Sequence, residues 1–386
     1  MPVYLDHAAT TPMADVAIKV MTDQLAKLGN PSSLHSYGRQ ARKDLEGARE
    51  EIAVALDCHP TEIIFTASGT EADNTALKGL YWKGQAVGRN VVVISSIEHH
   101  AISDPAQWLK LHEGAEVIEI GADSNGVIQF GELQDLVSKR ADEIAVISIM
   151  SSNNETGVIQ PIERVVELAR SASIPVHSDA VQSFGKVPLS FSQWGLTAMS
   201  VSAHKLGGPI GVGALVLRKG YDVPALLHGG GQERDIRSGT FNAPAIMSFA
   251  AAVDESFLDF AERNARVRRL RHELANGILE RVPDAYVNGI EVERLPGIIN
   301  ITIPGTESDT LLLLLDNEGI ACSTGSACSA GVQRPSHVLL AMGHTEASAR
   351  SSIRFSIGAT SSDADIEQAL LTLPAVIERA RMANLR

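Results

Sequence analysis

The chain has 386 residues, 44% hydrophobic and 20% charged, which is enough to bury a large core and excludes a mainly disordered protein. Its 33 basic against 46 acidic residues leave a formal charge of −13, so no overall field would hold a polyanion such as a nucleic acid. The longest aliphatic run, Leu311 to Leu315, is far short of the roughly 20 apolar residues of a membrane span. The opening MPVYLDHAATTP carries Asp6 and His7 where a signal peptide needs a basic start and an apolar stretch, so a soluble, cytoplasmic protein is expected.

In chain order, Ala41, Leu45, Ala48, Ile52 and Leu56 mark an amphipathic helix, with Cys58 packed at its end. Apolar, β-branched strands are then expected at Glu62–Thr66, Val91–Ile94, Glu116–Ile120, Ile144–Ile149, Pro175–His177, Ala198–Val201 and Val212–Leu217. Helical patterns separate most of them, at Glu71–Trp82, Ile102–His112, Gly131–Arg140 and Pro161–Ser171. This alternation predicts an α/β fold with a mostly parallel seven-stranded sheet covered by helices on both faces. After about residue 255 the rhythm changes to a smaller α+β part. A long helix is expected over Glu255–Arg281, then strands Gly297–Ile303, Gly319–Cys322 and Ile353–Ser356, with helices Ser308–Asn317 and Asp363–Met382. Arg266, Arg268, Arg269 and Arg271 fall in that long helix among acids, which reads as a solvated face rather than a nucleic-acid patch. Three cysteines cannot form a disulfide framework, and the spacing of Cys322 and Cys328 is not that of a CxxC metal or redox motif.

Ligands of open α/β sheets sit beyond the carboxyl ends of the strands, and those ends are polar here. Ser68, Gly69 and Thr70 precede a helix; they suit a phosphate cradle but equally an ordinary N-cap. His99 and His100 follow another strand; on an extended segment they point in opposite directions, a poor metal pair. One of them suits stacking on a planar ligand or acid/base work. Further ends carry Asn153, Asn154 and Glu155, then Asp179 and Gln182, then Ser202, His204 and Lys205 before a glycine turn. A lysine there is expected to be partly buried, which lowers its pKa and frees a nucleophilic amine. With an aspartate 26 residues upstream and a phosphate-type cradle, it fits a pyridoxal phosphate site: amine for the aldehyde, carboxylate for the pyridine nitrogen, donors for the phosphate.

The segments YLDHAATTP, GNPSSLHSYG, FTASGTEADN, IEHHA, NNETGVIQP, HSDAVQSFGK, SAHKLGGPIGVGAL, HGGGQERDIRSGT, STGSACSAG and SSIRFSIG, from Tyr4 to Gly358, resemble the cysteine desulfurases. These are fold-type I pyridoxal phosphate enzymes of the class V aminotransferase group. The resemblance implies a large cofactor-binding domain over 15–255 and a small domain of 1–14 and 256–386, which carries a catalytic cysteine loop at about 323–334. It assigns Lys205 the Schiff base, Asp179 the pyridinium partner and His99 ring stacking with acid/base work. Asn154 and Gln182 fall near the ring's 3-hydroxyl and the substrate, and Gly69, Thr70, Ser202 and His204 at the phosphate. Thr240 would reach the phosphate of a neighbouring subunit, implying a homodimer. Arg354 would clamp the substrate carboxylate, a bidentate task suited to guanidinium, with Asn30 a further substrate-side residue.

Cys328 falls on the family's catalytic cysteine, in a run of small residues with no hydrophobic anchor. The implied activity converts L-cysteine to L-alanine and leaves the sulfur on Cys328 as a persulfide. The acceptor would be an iron–sulfur scaffold protein or a tRNA thiolation enzyme, as in the long-loop subgroup. No resident metal is expected, although Cys328 could ligate a cluster transiently during transfer. A selenocysteine lyase and a non-catalytic sulfur-carrier or docking subunit are the alternatives. Cys322, at a strand end, reads as structural.

Overall fold

Strands buried on both faces should be apolar throughout, and those at an edge should carry charge. The computed structural model describes residues 2–325 and 334–384, and the rule holds at one edge of its main sheet, whereas the other edge strand, Ile63–Thr66, is buried and uncharged. In chain order the strands are β1 (Val3–Tyr4), β2 (Ile63–Thr66), β3 (Val91–Ser95), β4 (Glu116–Ile120), β5 (Ile144–Ser148) and β6 (Val176–Asp179). There follow β7 (Ala198–Ser202), β8 (Gly213–Leu217), β9 (Tyr286–Val287), β10 (Ile298–Thr302), β11 (Ile320–Ala321) and β12 (Ser352–Ser356). The main sheet has the order β2-β8-β7-β6-β5-β3-β4. Only β8 runs antiparallel to its neighbours, β2 and β7. Every residue of β3, β5, β7 and β8 is buried. At the edge, β4 exposes Glu116 and Glu119, which discourages a further strand from pairing.

Successive residues of a strand face opposite ways, and β3 divides accordingly. Val91 and Val93 join the apolar cluster on one face of the sheet, with Ile147 and Phe249. Val92 and Ile94 join the cluster on the other, with Leu77 and Leu80. A separate cluster is built from Val3 and Leu5, Leu270 and Leu274, Ile299, Phe355 and Leu373. It fills the space between the antiparallel sheet β12-β10-β9 and the helices Phe260–Arg281 and Asp363–Asn384. The N-terminal strand β1 pairs parallel with β11, Val3 against Ile320, so the first residues pack beside the last third of the chain.

Two expectations need correction. The helix expected over Glu255–Arg281 is two helices, Ala243–Phe257 and Phe260–Arg281, with Asp259 between them at φ 48°. No Pro or Gly marks the break, but aspartate tolerates this left-handed conformation better than most residues, and the rings of Phe257 and Phe260 stack across it at 5.4 Å. The arginines beyond it are not simply a solvated face. Arg271 is buried and donates to Leu295 O at 2.7 Å, Arg266 donates to Ser361 O at 2.7 Å, and Arg269 pairs with Asp363 at 2.6 Å. Arg266 and Arg269 tie this helix to the chain that enters the C-terminal helix, and Arg271 ties it to the loop before β10.

Candidate active site

The carboxyl ends of β2, β3, β5, β6 and β7 and the middle of β12 border one cleft of about 400 Å³. Gly69 and Thr70 reach it from the N-terminus of helix Gly69–Gln85, where the Ser68 hydroxyl caps Glu71 N–H at 3.1 Å. A side chain at Gly69 would place its Cβ 2.8 Å from Val181 Cγ2 and 3.4 Å from Ser202 Cβ, so only glycine leaves this cradle open. His99, Asn154, Asp179, Gln182, Ser202, His204, Lys205 and Arg354 also line the cleft. The structure thus brings together ten of the residues expected from sequence.

Two of the other three lie elsewhere. Asn30 sits in a separate surface groove, its side chain accepting from Ser32 N–H at 2.9 Å. Thr240 is exposed on the loop after Ser238 and does not line the cleft of its own chain. Cys328 lies outside the described residues. Of the other cysteines, Cys322 is buried and Cys58 half-buried, and burial pushes both thiols up to about 12, which keeps them protonated and inert.

Lys205 lies in the short turn after β7, and its ammonium donates to Ala8 O at 2.7 Å and Ala9 O at 2.8 Å. Burial, then the charge of Arg354, lowers its pKa to about 8, as expected for a strand-end lysine freed for nucleophilic work. Asp179 ends β6 and accepts from Val181 N–H at 2.9 Å. Burial raises its carboxyl to about 6. Its neighbour Asp73, also buried at the cleft, is raised by burial and by Asp179 itself. Among the described residues neither acid has a charged side chain at ion-pair distance. Lys205 lowers Asp179 only through its field, and His177, whose Nε2 lies 3.7 Å from Asp73, is held neutral by burial. Burying these acids is therefore costly.

His99 and His100 do not lie on an extended segment. His99 caps helix His100–His112, its Nδ1 accepting from Ala101 N–H at 3.0 Å, and both rings are exposed. With Nδ1 an acceptor, the neutral ring carries its proton on Nε2. Although the residue keeps solvent exposure, the protein packed around the ring and then the charge of Lys205 hold this imidazole below its usual range. Arg354, only 4% exposed at the centre of β12, donates to Asn154 O at 2.9 Å and to Asp6 Oδ1 at 2.7 Å. Its Nε is buried without a partner among the described residues.

Sequence reasoning missed the N-terminal segment. Ala8 and Ala9 hold Lys205 through their carbonyls, Asp6 anchors Arg354, and Thr11 N–H donates to His204 O at 3.0 Å. Backbone carbonyls leave no mark on residue identity; only Asp6, an acid beside an apolar strand, gave a signal. His337 was missed too, whereas Glu155, named at its polar strand end, does line the cleft. Among the described residues no three His, Cys, Asp or Glu side chains gather as metal ligands.

The family model for class-V aminotransferases matches residues 3–369. This chain belongs to that family. It is 48% identical to an IscS-like cysteine desulfurase of Mycobacterium tuberculosis, over 99% of this chain and 98% of that protein. A cysteine desulfurase IscS of Dictyoglomus turgidum is 39% identical over 98% of this chain and 95% of its own. Among solved structures, a NifS-like protein superposes with a TM-score of 0.90 at 34% identity, covering 98% of this chain and all of that one. The cofactor of these families is pyridoxal phosphate, and the cleft suits it. The Gly69 cradle stays open only because no Cβ fills it. Lys205 is an amine with a depressed pKa. Asp179 is a buried carboxylate that a protonated ring nitrogen would neutralise.

Proposed function

We infer that this chain is a pyridoxal phosphate-dependent cysteine desulfurase that converts L-cysteine to L-alanine. One observation carries the reading: a half-buried amine, Lys205, shares a single cleft with the carboxylate Asp179 and the guanidinium Arg354. Gly69, Thr70, Ser202 and His204 would hold the phosphate, Asp179 the ring nitrogen, and Gln182 and Asn154 the ring's 3-hydroxyl side. Bound there, the cofactor supplies an electron sink for the charge left when the substrate loses its Cα proton.

The chain's own groups do the rest. Arg354 orients the substrate carboxylate. Lys205, held by two carbonyls, is neutral in part near pH 8 and takes the Cα proton at Nζ. His99 presents Nε2–H as a donor and exchanges protons there. We assign Cys328 the attack on the substrate sulfur: its thiolate forms the S–S bond of a persulfide as the C–S bond breaks. The electron pair of the C–S bond stays with the carbon fragment, and a proton taken up at Cβ and another returned to Cα by Lys205 release it as alanine. Gly325 and His337, on either side of the segment that contains Cys328, both line the cleft, which supports this role.

The selenocysteine lyase and docking-subunit readings gain nothing from relatives named as cysteine desulfurases. We propose further a large domain over 15–255 and a small one of 1–14 and 256–386, supported by their separate apolar clusters. A homodimer in which Thr240 serves the partner's site agrees with its exposed position outside the cleft. Sulfur delivery to an iron–sulfur scaffold protein or a tRNA thiolation enzyme in the cytoplasm completes the proposal; no helix of the described residues is long and apolar enough to cross a membrane.

The test compares wild type with Cys328→Ala for alanine and sulfide formed from L-cysteine and a reductant. Wild type should make both, and the variant should keep its yellow cofactor and make neither. Equal turnover by the variant would remove Cys328 as sulfur acceptor and leave lyase chemistry without a persulfide.

A further inference from the structure

Behind the N-terminal segment lies a second cavity of about 610 Å³, which shares Ala8 and Lys205 with the cleft. Lys186 opens onto it, half-buried. Among the described residues no carboxylate pairs with this lysine. Among the described residues its one hydrogen bond runs from Nζ to Gln182 Oε1 at 2.9 Å. Gln182, buried, in turn donates from Nε2 to Ala8 O at 2.9 Å, the same carbonyl that accepts from Lys205 at 2.7 Å. Lys186, Gln182, Ala8 and Lys205 therefore form one hydrogen-bonded row from the second cavity into the cleft.

An amide can present either its oxygen or its nitrogen to a given side, whereas an ammonium only donates. Facing the ammonium form of Lys186, the oxygen of Gln182 is therefore fixed on the cavity side and the two N–H groups on the cleft side. The reversed amide would set two donors against each other at Lys186 and two acceptors against each other at Ala8. A half-buried cation near Lys205 and Arg354 is unfavourable by itself, and burial and those two charges push Lys186 down to about 7. Packing alone gives no reason for a lysine there.

We propose that Lys186 is a positioning residue: it holds the Gln182 amide with its nitrogen toward the cleft, as a donor to the 3-oxygen of pyridoxal phosphate. The inference rests on the reading that Gln182 faces that side of the cofactor. Its ligand chemistry is an anionic phenolic oxygen, for which a fixed N–H is favourable and a carbonyl oxygen repulsive.

The test is a double-mutant cycle on the full-length apoprotein, with the dissociation constant for pyridoxal phosphate as readout and without turnover. Lys186→Met should weaken binding about tenfold, the worth of one oriented hydrogen bond. Lys186→Arg, which still donates, should stay within about threefold of wild type. Gln182→Ala should weaken binding by about as much as Lys186→Met, and the double variant should be no weaker than Gln182→Ala alone. Apoprotein melting checks each variant, and Lys186→Ala replaces Lys186→Met in the cycle if the latter is unfolded. Wild-type affinity in Gln182→Ala would overturn the reading of Gln182. A weakened Gln182→Ala beside an unaffected Lys186→Met, or losses that multiply to about a hundredfold, would overturn the role of Lys186.

Discussion

Replacing Arg354 by lysine keeps the charge and removes the planar fork. In the substrate-free cleft the guanidinium spends one Nη1–H on Asn154 O and one Nη2–H on Asp6 Oδ1, at 2.9 and 2.7 Å. Its Nε–H has no partner among the described residues, and each Nη retains a second N–H. Three donors are thus free, enough for both oxygens of a substrate carboxylate while both anchors persist. A lysine has three N–H bonds; two can satisfy Asp6 and Asn154, which leaves one for the substrate. The loss is one charge-assisted hydrogen bond, about 1.5–3 kcal/mol. That corresponds to a rise in KM for L-cysteine of about 10- to 150-fold with kcat little changed, the mark of lost ground-state binding. Steady-state alanine formation measures it. Competition by cysteamine, which lacks the carboxylate, should be the same in both proteins. A KM within twofold of wild type, or an equal loss of cysteamine binding, would refute the clamp.

Three other outcomes follow from the geometry. Gly69→Ala puts a Cβ 2.8 Å from Val181 Cγ2, so cofactor affinity should fall about tenfold or more while the apoprotein melts within about 2 °C of wild type; unchanged affinity on equilibrium dialysis would exclude a phosphate cradle there. The folded pKa of Lys205 is lowered from 10.5 to about 8, so the neutral amine grows as pH rises through 8, and the rate at which apoprotein captures pyridoxal phosphate should rise with a midpoint near 8; a midpoint near 10.5 would show an unperturbed lysine. Glu233→Ala strips Arg49, 6% exposed, of its bidentate partner at 2.8 and 2.9 Å, at a cost of about 3–5 kcal/mol. With an unfolding entropy of about 0.8 kcal/mol/K for 386 residues, the melting temperature should drop by about 4–6 °C in calorimetry, and a shift under 1 °C would count against the pair.

Apolar alternation determined the main sheet from sequence alone. Glu116–Ile120 and Ser308–Asn317 have the expected bounds, because a short β-branched run at a sheet edge and a helix with one apolar stripe both leave their pattern in the chain. The strand-end residues Asp179, Gln182 and Lys205 were legible for the same reason: the end of an apolar run is where an α/β sheet opens to a ligand. The break at Asp259 was not, since a single left-handed residue without Pro or Gly interrupts no pattern. Only the tertiary structure decided that residues 6–11 cross the cleft, with Asp6 on Arg354, 348 positions away, and the Ala8 and Ala9 carbonyls on Lys205. Backbone acceptors carry no side-chain signature, and a contact between the two ends of a chain exists only once the sheet and the C-terminal strands have packed between them.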